Sequence, residues 1–328
     1  MHDVPAGLAA GPFHTGELIA QERAGVRDRM AGRAVVPIRD HMPDQHREFF
    51  AMLPFLAVGV LDEGGWPAAG MLVGPPGFAT SPDARTLRIA PAAPPAGIAP
   101  ASLAAGARIG LLGLQLSTRR RNRANGRIAA VEDGVLTVAV EQSFGNCPQY
   151  IQRREHRFVR DPAGPAAPVE ALGGLDAAAR AAIVAADTVF VASASRGAGA
   201  VQEQGIGVDV SHRGGRPGFI ALDGDTLCIP DYRGNNYFNT LGNFAVNPRA
   251  GLLVPDFASG DLLHLSGTVA LVWDGPEARR VPGAERIWRL TPTAVWRARD
   301  ALPLRWFLRD YAPTSLAAGI WGETAETA

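Results

Sequence analysis

The chain has 328 residues, a length that predicts two domains. Its 32 basic and 32 acidic side chains cancel, which argues against binding nucleic acid or anionic membrane through the overall field. All 32 basic residues are arginine, so a Schiff-base lysine, a P-loop lysine and covalently held pyridoxal phosphate are excluded.

Near the N-terminus Thr15 is placed to cap a short helix through Leu18, Ile19 and Glu22, ended by Gly25. A second helix starts at Pro43-Asp44, buries Phe49, Phe50 and Leu53, and stops at Pro54. From Phe55 the pattern becomes β-rich, with FLAVGVL, PAAGMLVG, TLRIA, ARIGLLGLQL, NGRIAAVEDG and VLTVAVEQ reading as successive strands. The run STRRRNRANGR, Arg119 to Arg127, allows three readings: a solvated hairpin, interface salt bridges or an anion-binding patch. The Pro/Gly-rich DPAGPAAPVEALGG is the best domain linker and divides the chain into units 1–160 and 161–328. Beyond it an alanine-rich helix, Leu175 to Ala186, leads into TVFVASAS, GVDVSHRGGRPGFIAL, DTLCIPD, PRAGLLVPDF and DLLHLSGTVALVWDG.

The second series copies the first. Residues 108–134 lie on 249–275 at a constant offset of 141, with Arg108/Arg249, Gly110/Gly251, Leu111/Leu252, Leu112/Leu253, Gly126/Gly267, Ala129/Ala270, Val131/Val272, Asp133/Asp274 and Gly134/Gly275 identical. The turns Gly65-Trp66-Pro67 and Gly215-Arg216-Pro217 are matched as well, with the extra loop Gly197 to Gly205 taken to explain their larger offset. Two copies of such a unit are expected to pack as a homodimer would.

The copies differ most before the GLL strand. The second has Arg233, Asn235, Asn236, Asn239 and Thr240 ahead of a helix from Leu241 to Val246. Short donors and a guanidinium at a helix N-terminus make an anion site, because free N–H groups and the positive dipole end converge there. The first copy has Ile98 opposite Asn239 and Ala99 opposite Thr240, so the donors are missing. A solvated turn with asparagine capping the helix is the alternative.

The pattern GGRPGFIAL, TLCIPDYRGNNYFNTLGNFAVNPRAGLLV and LSGTVALVWDG, with QSFGNCPQYIQ in the first half, resembles the pyridoxamine 5′-phosphate oxidase-like flavin-binding split barrels, especially their bacterial branch. The resemblance implies a mainly β (α+β) fold of two tandem split β-barrels with flanking helices, packed as a pseudo-dimer. It implies FMN at the interface of the barrels, with Gly218, Phe219 and Ile220 offering backbone groups to the ring and Asn235, Asn236, Asn239 and Thr240 holding the phosphate beside Arg233. Asn146, Cys147, Gln149 and Tyr150 would reach the cofactor from the other barrel.

The function this implies is an FMN-dependent oxidoreductase acting on a small-molecule substrate with an electron donor such as NAD(P)H. The alternatives are a non-catalytic flavin-binding or storage protein, or a cleft for haem or a deazaflavin. Candidate reacting residues are Cys147, either a redox thiol or a small residue packed beside the flavin, and His212, either a proton donor or a surface-turn histidine. Cys147 and Cys228 form no CxxC, so neither a disulfide framework nor a metal site is expected. No run approaches the ~18 apolar residues of a membrane helix and no secretory pattern opens the chain, which points to a cytoplasmic protein, monomeric or homodimeric.

Overall fold

A computed structural model of the chain describes residues 12–31, 38–145, 147–195 and 207–323. Two short helices, α1 (Thr15–Arg23) and α2 (Arg27–Ala31), lead into α3 (Asp44–Ala51) and the strands β1 (Phe55–Leu61), β2 (Pro67–Val73), β3 (Ala79–Asp83), β4 (Thr86–Ile89), β5 (Arg108–Gln115), β6 (Arg120–Glu132) and β7 (Val135–Gly145). β8 (Arg153–Phe158) and β9 (Val169–Leu172) follow, and then α4 (Ala177–Ala185) opens the second series. This runs through β10 (Thr188–Ala194), β11 (Val208–Gly214), β12 (Ala221–Asp223), β13 (Thr226–Tyr232), α5 (Asn239–Val246), β14 (Arg249–Pro255), β15 (Leu262–Val272), β16 (Ala284–Ala298), β17 (Leu304–Asp310) and α6 (Pro313–Ala317).

The first antiparallel sheet has the order β2-β1-β5-β6-β7-β4-β3 and the second β11-β10-β14-β15-β16-β13-β12, one connectivity used twice. The result is mainly β, two split barrels with flanking helices. Each barrel has its own apolar core, and a third core, with Phe55, Met71, Leu112, Phe190, Leu253 and Trp306, is shared between them. β8 pairs with β17, so the segment leaving one unit is bound to the segment leaving the other.

Two identities of the repeat have physical causes. Gly126 and Gly267 sit at matching β-bulges, where a Cβ would come within 1.9 Å of the Ala139 carbonyl and 2.4 Å of the Thr291 carbonyl. Gly110 and Gly251 lie where the barrels meet: a Cβ would stand 2.5 Å from the Val208 carbonyl oxygen in one case and 2.3 Å from that of Pro67 in the other. Either glycine replaced by alanine is therefore expected to force the barrels apart and cost about 1–3 kcal/mol, read as a lower urea midpoint.

Several local expectations are corrected. α1 is capped by His14, whose Nδ1 accepts from Gly16 N–H (3.0 Å) while Glu17 accepts from His14 N–H (2.9 Å). Gly65-Trp66-Pro67 joins β1 to β2, whereas Gly215-Arg216-Pro217 follows β11. Its true counterpart is Gly74-Pro75-Pro76, at the same offset of 141 as the rest of the repeat. Both turns fold against a phenylalanine, Phe78 and Phe219, which a Cβ on Gly74 or Gly215 would meet at 2.5 and 2.6 Å. The loop Gly197 to Gly205 lies outside the described residues. No helix among the described residues is long and apolar enough to cross a membrane.

Although it precedes the first barrel in sequence, α1 packs against α5 of the second, with Ala20 in the second core and Glu17 accepting from Asn239 Nδ2. This crossing brings a buried carboxyl to the start of α5.

Candidate functional site

A cleft of about 130 Å³ opens where the two barrels meet. The first unit contributes Arg121 and Arg123 from β6 and Cys147, Gln149 and Tyr150 from the segment after β7. The second contributes Ser211, His212 and Arg213 from β11, the loop after β13, the first turn of α5, and Glu285 and Arg286 from β16. Five arginines line it (Arg121, Arg123, Arg213, Arg233 and Arg286) against two carboxylates, Asp231 and Glu285.

Most of these cations are matched. Arg123 donates to Asp209 (2.6 Å) and Ser211 (2.6 Å), and Asp209 also accepts from Asn125 (2.7 Å) and Asn243 (2.9 Å). Asp231 accepts from Arg213 (2.5 Å) and Arg286 (3.2 Å). Among the described residues Arg121 has no carboxylate partner. Its Nη2 donates to the Cys147 carbonyl (2.5 Å) and its Nε is buried with no partner. Burial, with Arg123 and Arg213 nearby, pushes its pKa down to about 10, still cationic at neutral pH.

α5 faces the same cleft. Phe238 precedes it in the left-handed region (φ 64°) and no side chain caps the first turn. Asn239, Thr240 and Leu241 line the cleft, so the positive end of the helix and its free N–H groups lie beside the unmatched guanidinium. The arrangement suits an oxyanion such as phosphate.

Of the residues singled out in the sequence, Phe219, Arg233, Asn235, Asn236, Asn239, Thr240, Cys147, Gln149, Tyr150 and His212 all line the cleft. Gly218 and Ile220 do not: the Gly218 N–H donates to Val184, its carbonyl accepts from Trp321, and Ile220 is buried in the second core. Asn146 lies outside the described residues. Some side chains already have partners, since Asn239 donates to Glu17, Thr240 to Ser211 (3.0 Å), and Asn235 accepts from Tyr237 N–H (3.1 Å). Tyr150 stacks on Tyr232 with ring centres 5.3 Å apart and donates its hydroxyl to the Arg233 carbonyl (3.1 Å).

His212 is no surface-turn residue. The strand continues to Gly214, so the histidine sits inside β11 at 6 % exposure, and neither ring nitrogen has a partner. Burial, followed by Arg121, Arg154 and Arg213, holds its pKa well below the usual value, and the ring is neutral at pH 7. Cys147 is a free thiol exposed at the rim of the cleft.

The basic run also departs from the solvated reading. Arg119 pairs with Asp310, Arg120 lies over the Phe49 ring at 4.9 Å, and Arg121 and Arg123 point into the junction of the barrels. Sequence reasoning left Arg121 among the three readings of the basic run and missed Arg213 and Arg286 as cleft residues. A signal existed for the first, because the offset of 141 pairs Arg121 with the apolar Leu262 and Arg123 with His264, marking both positions as interior.

That offset also locates the mate of the cleft. His212 corresponds to Met71, Gly234 and Asn235 to Ala93 and Pro94, and Arg121 to Leu262, and these residues line a pocket of only about 30 Å³. Linker residues Arg160 to Ala167 contribute to its walls. Ile98, opposite Asn239, is buried in the first core. One cleft is cationic and open; its mate is apolar and filled.

Glu17 couples the site to pH. Burial, then the nearby Asp209, raises its carboxyl well above the usual range. Such a group binds a proton in the fold that the unfolded chain has released, so its contribution is fully present below about pH 4.5 and is lost as pH rises toward the folded value. Relative to wild type, Glu17→Gln is expected to remove a slope approaching ~1.4 kcal/mol per pH unit from urea unfolding free energies measured above that pH.

Two split barrels joined over a cationic cleft define a tandem split-barrel protein. Residues 175–307, from just before α4 into β17, match the family model described as pyridoxamine 5′-phosphate oxidase. Over this second unit the chain is similar to the pyridoxamine 5′-phosphate oxidase family. Similar solved structures include an FAD-binding protein from Mesorhizobium loti (14 % identity, 39 % of this chain and 96 % of that one, TM-score 0.26). Others are an FAD-binding protein from Mycobacterium smegmatis (13 % identity, 40 % and 98 %, TM-score 0.26) and HupZ of Group A Streptococcus (9 % identity, 37 % and 91 %, TM-score 0.28). No curated protein matches the chain significantly.

Proposed function

We propose that the chain is an FMN-dependent oxidoreductase whose flavin phosphate binds in the cleft between the barrels. The reading rests above all on Arg121, a guanidinium without a carboxylate whose buried Nε lacks an acceptor, beside the uncapped start of α5. These groups fit a phosphate, and Arg233 at the mouth adds charge. The cleft of about 130 Å³ accommodates that end of the cofactor, and the rim residues Cys147, Gln149 and Tyr150 are those available to the ring.

A flavin held there supplies hydride or single-electron transfer, so the chain needs no nucleophile of its own. The protein's part is to bind and orient. Arg121 and the α5 N–H groups fix the anion, and Asp209 and Asp231 hold Arg123, Arg213 and Arg286 in place around it. His212, neutral at pH 7, has an N–H to offer and a free lone pair to accept with, and it carries no charge to repel a cationic donor.

Titration of the purified protein with FMN, followed by flavin fluorescence, is expected to saturate at one FMN per chain, because the mate cleft is filled. Asn239→Ala with Thr240→Ala should weaken binding, whereas Ile98→Ala, in the apolar copy, should lower stability but leave affinity unchanged. A protein that does not respond to FMN sinks the reading. Anaerobic mixing of the loaded protein with NADH or NADPH then separates an oxidoreductase, which bleaches, from a flavin carrier, which does not.

A further inference from the structure

A second opening lies along α4, a groove of about 640 Å³, within the usual range for small-molecule sites. One wall is the alanine face of α4, including Ala178, Ala182 and Ala185, and the other includes Phe257 and Trp306, which pack edge to face with ring centres 5.2 Å apart.

In the first barrel the matching positions carry bulkier side chains. β1 pairs Leu56 with Gly113 and β10 pairs Phe190 with Leu253, so counting back from the strands sets Phe49, Phe50 and Leu53 opposite Ala182, Ile183 and Ala186. In the first barrel these three side chains crowd Gly113, where a Cβ would meet each of them within 2.7–2.9 Å. In the second, two of the three are alanine and the volume stays open.

A polar feature makes the groove more than a packing gap. Arg154, 6 % exposed, lines it with its guanidinium 4.5 Å above the Phe257 ring. Its Nη2 is paired with Asp187, but its Nη1 is buried with no acceptor among the described residues. Of the other lining carboxylates, Asp256 accepts from Ala258 and Ser259 N–H and Asp261 from Asp300 N–H, so both are engaged in turns. An unsatisfied buried donor is costly, and it marks where an acceptor oxygen belongs.

We propose that this groove binds an aromatic carboxylate, its ring between α4 and the Phe257–Trp306 wall and its carboxylate taken by Arg154. The site is separate from the FMN cleft and does not depend on it. Calorimetric titration with 1-naphthoate is expected to give one site per chain, with or without FMN. Ala182→Phe, which places in the groove the filler used in the first barrel, should abolish this binding and leave the FMN titration unchanged; Val254, which stands where the first barrel has Gly113, makes some loss of melting temperature expected. Arg154→Met should weaken 1-naphthoate at least tenfold and leave 1-naphthalenemethanol, which lacks the carboxylate, within twofold. The proposal is overturned if 1-naphthoate gives no binding at millimolar concentration, if Ala182→Phe binds it as wild type does, or if the groove proves to be covered by a second copy of the chain in sedimentation.

Discussion

Arg121→Leu is expected to cut FMN affinity by roughly tenfold to a hundredfold while raising the melting temperature. The two effects have one cause. Arg121 is cationic and largely enclosed, and among the described residues its guanidinium bonds only the Cys147 carbonyl, so its desolvation is not offset by a carboxylate. Leucine is what the second unit carries at the matching position, Leu262, where it is buried in the shared core. The fold gains by the exchange and the anion loses a charge-assisted hydrogen bond, typically about 1.5–3 kcal/mol. Fluorescence titration and thermal unfolding of one preparation measure both. A variant that binds FMN as wild type does would remove Arg121 from the site.

Asp209→Ala is expected to be the most damaging single change to stability, by about 3–5 kcal/mol. Asp209 is 6 % exposed and accepts from Arg123, Asn125 and Asn243, which arrive from both barrels. Removing the acceptor leaves Arg123 buried, with Ser211 as its remaining hydrogen-bond partner and the Phe144 ring 5.2 Å beneath it. In the first unit the position matching Asp209 is Ala68, which shows that the strand tolerates alanine once the opposing cation is gone. The double variant Arg123→Met with Asp209→Ala should therefore recover much of the loss in urea denaturation. If the double variant is no better than Asp209→Ala, the loss does not come from the stranded charge.

The repeat was legible because strand identity is local: apolar alternation and the glycines at bulges and close approaches survive in both copies, Gly126 and Gly267 among them. The loop before α5 was legible as part of the cleft because its short polar residues have no counterpart in the first copy, where Ile98 and Ala99 stand opposite Asn239 and Thr240. What could not be read is which partner each donor finds. Asn239 is bound to Glu17, 222 residues away, through a crossing of α1 that no local pattern encodes. The basic run misled for a related reason. Arginines in a strand resemble a solvated edge until the opposing barrel supplies Asp209 to Arg123 and the cleft to Arg121. His212 was misplaced by a single turn, since glycines at 214 and 215 suggested an earlier end to β11.

The crossing of α1 has a consequence for the order of events during synthesis. Its docking surface on α5 is translated more than 200 residues after it, as the Glu17–Asn239 separation of 222 shows. The first barrel can fold on the ribosome with α1 still loose, and the helix finds its seat only when the second barrel emerges. The start of α5 is thus completed only after the second barrel begins to emerge. An unfinished chain, whatever its first half has achieved, presents no finished cleft.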